Sequence, residues 1–213
     1  MARVPALPPQ RLAKPSYPRR QQLRRLKRAG GAACASAASV ALALVAALVG
    51  LPVIALVLVL VALASGLHAR HWAHLAGRAG VGARSEADVQ RALTALEREG
   101  WRLRHSLPWH GHGDIDHVAI APTGIAFAIE TKTRSYHPGH LATVRAQAVW
   151  LQRRRRRWCP HGARPVLCVT RGPLLEQIED DVLVVSINRL AGTLRAAAGT
   201  TTRPAFLSPT AAG

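Results

Sequence analysis

The sequence predicts an α/β protein in which a mixed sheet is flanked by helices and preceded by a transmembrane helical hairpin. Three observations point there. From Gly30 to Leu67 no residue is charged, and Gly50-Leu51-Pro52 interrupts that run near its middle. Beyond residue 80, stretches with helical spacing alternate with short apolar stretches, the order of an α/β fold. Among them, Ile115, Val118, Ile120, Ile125, Phe127 and Ile129 make a hairpin that is apolar on both faces and therefore central in its sheet.

The amino-terminal part comes first. At 213 residues the chain has room for one ordinary domain plus appendages, and its formal charge of +18 is unevenly spread. Residues 1–30 hold Arg3, Arg11, Lys14, Arg19, Arg20, Arg24, Arg25, Lys27 and Arg28, five prolines and no acid. Such a segment buries no core and is expected to be a disordered basic tail.

Residues 31–68 are expected to form two spans, roughly 32–49 and 52–67, each near the ~20 residues that cross a bilayer. His68, Arg70, His71, His74 and Arg78 then make residues 69–80 a basic juxtamembrane linker. Two crossings keep both basic flanks on one side, so the expected location is the cell (inner) membrane, with the N-terminus and the soluble domain cytoplasmic. Three alternatives stand beside it. One is a single tilted span; another is a signal peptide cleaved after Ala62-Leu63-Ala64, against which the apolar core is too long. The third, a buried soluble helix pair, has nothing else in the chain to cover it. The basic flanks suit an anionic leaflet at about 1 kcal/mol per residue and need no other partner. Ala32, Ala33, Ala35, Ala37, Ala38, Ala41 and Ala43 would let helices approach closely.

The soluble domain is expected over 81–198, with 199–213 as a tail. Ser85 is a good N-cap for a helix whose stripe of Val89, Leu93 and Leu96 runs to Gly100. Trp101 to Leu107 reads as the first strand, followed by the central hairpin. His140 to Arg157 reads as a helix, Val166 to Thr170 and Asp181 to Ser186 as strands, and Ile187 to Ala197 as a last helix.

The hairpin carries the chemistry. In Ala121-Pro122-Thr123-Gly124, Pro presets φ for a type I turn and Gly supplies the left-handed residue of a three-residue loop. Pairing Ala121 with Ile125 and counting outward sets Asp116 opposite Glu130 and Asp114 opposite Lys132. Directly paired residues share a face with Cβ atoms about 5 Å apart, and Glu130 and Lys132, two residues apart, share it too. Two carboxylates on one side suit Mg²⁺ (or Mn²⁺), which takes phosphate oxygens in its remaining positions. A nearby lysine can orient water or stabilise charge developing on phosphorus. The bland alternative is a solvated hairpin end with an incidental ion pair.

Taken together, Gly82-Ala83-Arg84-Ser85-Glu86, then Gly113 to His117, then Ile129-Glu130-Thr131-Lys132 resemble the nuclease-related domain (NERD) of the PD-(D/E)xK nuclease superfamily. The resemblance covers about residues 80–190. It implies a restriction-endonuclease-like αβββαβ core, Asp116 and Glu130 as metal ligands, and Lys132 as the catalytic lysine. It further implies Glu86 as the acid from the first helix, a third metal ligand, and Gln147 as the glutamine of the helix after the third strand. Arg84-Ser85 departs from the glycine expected beside that acid.

Five consecutive arginines, Arg153, Arg154, Arg155, Arg156 and Arg157, repel one another, and phosphate contact is the functional reading. A solvated helix end is the alternative. Trp150 and Trp158 beside them would stack on bases or pack in the core. His110, His112 and His117 raise zinc, but oxygen donors with a lysine suit the harder ions. Cys34, Cys159 and Cys168 show no pair spacing and fit a reducing compartment. The expectation is a membrane-anchored, metal-dependent hydrolase of nucleic-acid phosphodiesters, DNA before RNA. The alternatives are a tethered nucleic-acid-binding protein without turnover and a bilayer scaffold that recruits proteins.

Overall fold

The computed structural model describes residues 17–109 and 113–199, which fall into two compact units divided between Ala83 and Arg84. The first unit is a pair of long helices, α1 (Tyr17–Leu48) and the part of α2 (Pro52–Glu97) up to Ala83. Gly50, at φ +75°, turns the chain between them, and the Leu51 N–H reaches back to the Ala46 carbonyl over 2.9 Å. Small residues close the seam: Ala43, Ala46 and Ala62 are buried, and Ser36 Oγ donates to the Ala62 carbonyl at 2.8 Å. Leu42, Leu44, Leu48, Val53 and Leu56 point outward and are exposed, a distribution that suits lipid rather than water. Both helices are long and apolar enough to cross a membrane by length and composition.

The helices outrun the expected hairpin at both of its basic flanks. Residues 17–30, expected as part of a disordered tail, are helical, and so are residues 69–80, expected as a linker. The cause is pairing. Arg25 Nη1 donates to the Leu75 carbonyl at 2.9 Å, the Arg28 guanidinium stacks 4.7 Å over the Trp72 ring, and Gly80 lies so near Gln22 that a Cβ there would meet its Nε2 at 2.6 Å. These contacts continue the seam past the apolar stretch, where helix propensity alone would leave a short basic segment frayed. The rest of the expected tail, residues 1–16, and nearly all of the expected C-terminal tail lie outside the described residues.

The second unit is a mixed six-stranded sheet flanked by helices, as the α/β reading expects. After the end of α2 come β1 (Arg102–Pro108), β2 (Asp114–Ile120), β3 (Ala126–Lys132) and α3 (Pro138–Arg154). Next are β4 (Ala163–Val169), β5 (Glu176–Glu179), β6 (Val182–Ser186) and α4 (Ile187–Gly199). The spatial order is β1-β2-β3-β4-β6-β5. β1, β2 and β3 pair antiparallel, β3, β4 and β6 parallel, and β5 closes the edge antiparallel to β6.

Helices cover both faces of the hairpin. Val89, Leu93 and Leu96 of α2, with Leu190 and Leu194 of α4, pack against Phe127, Ile129 and Val166. On the other side Ala148 and Leu151 of α3 meet Val118, Ile120 and Ala128, and Leu141 and Val144 meet Leu167 and Val184. Phe127 is fully buried, so its truncation to Ala would cost roughly 3–5 kcal/mol.

Three local expectations are corrected. Ser85 caps no helix start, because α2 is already helical there; Ser85 is buried and its hydroxyl is engaged elsewhere. α3 ends at Arg154, not Arg157, since the chain turns at Arg155 so that Cys159 and Trp158 can pack against the core beside Leu151. β5 was not foreseen; the strand expected from Asp181 begins at Val182 because Asp180 and Asp181 are the hairpin turn, both at positive φ.

Candidate functional site

The three-residue loop forms as its sequence requires. The Ala121 N–H donates to the Ile125 carbonyl at 2.8 Å, the Gly124 N–H to the Ala121 carbonyl at 2.9 Å, and Gly124 sits at φ +82°. The ladder runs from Ile120 opposite Ala126 to His117 opposite Ile129, and the same register continued by one pair sets Asp116 across from Glu130. There the strands part. The next donor on β3, the Thr131 N–H, goes to Asp116 Oδ2 at 2.8 Å, while β3 continues pairing with β4 as far as Lys132 opposite Val169. The acids therefore stand in the opening where β2 leaves β3.

Side chains from α3 and β3 complete that opening. Lys132 Nζ donates to Glu130 Oε1 at 2.7 Å, and Gln147 Nε2 donates to Glu130 Oε2 at 3.1 Å. The Lys132 and Glu130 side chains are 24% and 13% exposed, so this pair is largely shielded from water yet reachable from outside. Gln147 is buried, and its Oε1 has no hydrogen-bond partner among the described residues.

Ser85 joins α2 to the far ends of the strands. Its hydroxyl lies 3.1 Å from Thr133 Oγ1 and accepts from Thr170 Oγ1 at 3.0 Å. This brings the next residue, Glu86, into the field of the site. Burial first, then the charge of Glu130, then that of Glu86 hold the Asp116 carboxyl well above the usual carboxylate range, against the opposing pull of the Thr131 N–H and Lys132.

The donor chemistry fits a hard divalent cation. Asp116 and Glu130 offer carboxylate oxygens, the partnerless Gln147 Oε1 is a buried acceptor suited to a water of such an ion's shell, and Mg²⁺ ordinarily takes only one or two carboxylates. Among the described residues, however, no group of three or more His, Cys, Asp and Glu side chains is already gathered as a ligand set. Glu86 acts on Asp116 through its charge without completing such a set.

The five arginines are exposed, at and just beyond the C-terminal end of α3. Arg153 follows Gln147 by six residues, roughly 120° around α3, and with Arg156, Gln152 and Val149 it lines a separate groove of about 370 Å³. The Arg155 guanidinium lies 5.0 Å over the Trp158 ring, and Trp150 and Trp158 pack against the core. His117 faces away from the acids and pairs with His105, Nδ1 to Nδ1 at 2.7 Å; His110 and His112 lie outside the described residues. Burial pushes the Cys159 and Cys168 thiols up to about 11 and about 12, so neither is a ready nucleophile.

Sequence reasoning missed His140. It lies in the first turn of α3, seven residues before Gln147 and so on the same side, with its ring 3.6 Å from that of His137. Burial, then Lys132 and His137, lower its pKa, while Glu130 raises it. The seven-residue spacing to Gln147 was the available signal.

No curated protein and no solved structure matches this chain significantly. The family comparison does find a match, to the nuclease-related domain, whose general context is the PD-(D/E)xK superfamily. Its span, residues 81–171, contains Glu86, Asp116, Glu130, Lys132 and Gln147, so this part of the chain is similar to a nuclease-related domain.

Proposed function

We propose that the protein is a membrane-anchored nuclease that hydrolyses nucleic-acid phosphodiester bonds, DNA before RNA, with the help of Mg²⁺ or Mn²⁺. α1 and the apolar part of α2 are its two spans, with the basic ends and the nuclease-related domain on the cytoplasmic side of the cell membrane. The end of α2 with β1, β2, β3, α3 and β4 is then its αβββαβ core. The observation that carries the reading is the Lys132–Glu130–Gln147 hydrogen-bonded chain set beside Asp116.

In this reading Asp116 and Glu130 hold the ion, with Glu86 adding negative charge nearby. Once bound, the ion supplies Lewis acidity toward the phosphate and its attacking water. The chain's own groups do the rest. Gln147 holds Glu130 Oε2 in place and offers Oε1 to a water. Lys132, which donates to Glu130 Oε1, would steady the extra negative charge on phosphorus while water adds and the leaving oxygen departs with a proton that the water gives up. Arg153 to Arg157 contact phosphates away from the scissile bond.

The test is cleavage of labelled single- and double-stranded DNA, and of RNA, by the full chain in lipid nanodiscs with Mg²⁺, Mn²⁺ or chelator. Lys132→Ala and Asp116→Asn should each lower the rate by about 10²–10⁴-fold. Metal-dependent cutting that survives both changes would remove the assignment. One observation favours a second reading, a tethered binder without turnover: both Glu130 oxygens are already engaged. Binding without any cutting by the unaltered chain would select it.

A further inference from the structure

We infer that the basic end of the helical hairpin, residues 17–28 of α1 with residues 68–78 of α2, is a nucleic-acid contact of its own: a rigid rod of phosphate-binding side chains. The inference rests on the nucleic-acid reading above and adds a second surface to it. Arg19, Arg20, Arg24, Arg25, Lys27, Arg28, Arg70 and Arg78 lie on this stretch, and no acid occurs from Met1 to Ala83. Arg19, Arg24, Lys27, Arg28, Arg70 and Arg78 are exposed. All but one are arginine, the residue whose planar fork matches phosphate.

A basic flank next to a membrane ordinarily serves anionic lipid, and length decides against that here. The apolar part of α1 from Gly31 to Leu48 spans about 27 Å, close to the ~30 Å of the hydrocarbon layer, and headgroups add roughly 5–7 Å on each side. Lys27, Arg28 and Arg70 stand at headgroup level. Arg24 lies roughly 9 Å past Gly30, and Arg19 and Arg78 lie roughly 16 Å past the ends of the apolar run. The last two are about a Debye length beyond the headgroups, where lipid charge is largely screened. A flexible linker could fold these charges back onto the surface. This segment is helical and held at three levels, by Gln22 against Gly80, Arg25 to Leu75 and Arg28 on Trp72, so its charges project into water. A rod of like charge there suits a partner with regularly repeated negative charge, and a nucleic-acid backbone is one.

The experiment uses the full chain in phosphatidylcholine nanodiscs with chelator present, and reads binding of short fluorescent DNA by anisotropy over a salt series. Arg19→Gln/Arg24→Gln/Arg78→Gln should weaken binding at least tenfold near ~0.1 M salt and reduce the log–log salt slope by about 2–3 for duplex. Arg19→Lys/Arg24→Lys/Arg78→Lys, which keeps the charge, should retain most of the slope. Unchanged affinity and slope in the Gln variant overturn the proposal. So does loss of binding by the unaltered chain in phosphatidylserine-rich nanodiscs down to the level of the Gln variant, which would assign these arginines to lipid. Cleavage with Mg²⁺ is a separate readout: its absence defeats the nuclease reading alone, and an idle rod leaves it intact.

Discussion

Gln147 Nε2 donates to Glu130 Oε2 over 3.1 Å, while the same amide's Oε1 is buried with no partner among the described residues. Turning the amide over would set oxygen against carboxylate, so Glu130 itself fixes the orientation. An unpartnered buried acceptor costs about 1–3 kcal/mol, a sum that an ordinary core position has no reason to bear. A water of a bound ion's shell would satisfy it.

Replacing Gln147 with Leu keeps most of the volume and removes both the hold on Glu130 and the stranded acceptor. Cleavage should fall about 10–100-fold, as it does when groups that orient metal ligands are lost. The melting temperature should change little, because the lost hydrogen bond and the removed orphan offset each other. Unchanged cleavage would show Gln147 to be a packing residue only.

Asp116 gives a prediction for the metal-free protein. Its carboxyl titrates well above the usual range, so across the interval between that range and its raised value the folded state binds a proton that the unfolded state has already released. Stability from this group is present below the ordinary carboxylate pKa and is lost as pH rises through the raised value. Asp116→Asn should therefore raise the neutral-pH melting temperature in chelator, by roughly 2–4 °C per kcal/mol for a chain of this size, and abolish further stabilisation by Mg²⁺. A variant that melts lower in chelator and is still stabilised by Mg²⁺ would contradict this.

What was legible follows from what is local. Pro122-Thr123-Gly124 determines a loop, the loop determines a register, and the register places Asp116 across from Glu130 with no knowledge of the rest of the fold. Gln147 could be found only through the family resemblance, because its partner is 17 residues away and belongs to a strand. Ser85 misled for the opposite reason. Its type and the glycines before it signal a helix start, yet the pairing of Gln22, Arg25 and Arg28 with the segment from Trp72 to Gly80 carries the helix past them. β5 is polar and mostly exposed, so it has no apolar alternation to read; the Asp180-Asp181 turn was its only local mark.

His117 and His105 share one proton between their Nδ1 atoms, and burial, then the charge of His105, push His117 down to about 3. The unfolded chain takes up an additional proton on this imidazole near the ordinary His value, about 6.5. Stability from His117 is thus present above that value and lost as pH falls toward about 3. Melts in detergent, followed by tryptophan fluorescence, should show the sheet unit losing stability between about pH 6.5 and pH 5. His117→Gln should flatten that dependence. An equally steep fall in the variant would place the sensitivity in other groups.

Gly124 separates the stability of the loop from the placement of the acids. Alanine at φ +82° bears the left-handed strain of roughly 1–2 kcal/mol, and its Cβ would stand 2.8 Å from Pro160 Cγ and 3.2 Å from His161 Nδ1. A larger residue would meet the same wall with more atoms, so Gly124→Val should lower the melting temperature more than Gly124→Ala. The register itself is pinned elsewhere as well, by β1 on one side of the hairpin and β4 on the other. At a temperature where Gly124→Ala is folded, Mg²⁺-dependent cleavage per folded molecule should therefore stay within a few-fold of the unaltered chain. If cleavage collapses while the sheet remains intact by circular dichroism, the loop alone sets the spacing of Asp116 and Glu130, and the flanking strands do not hold it.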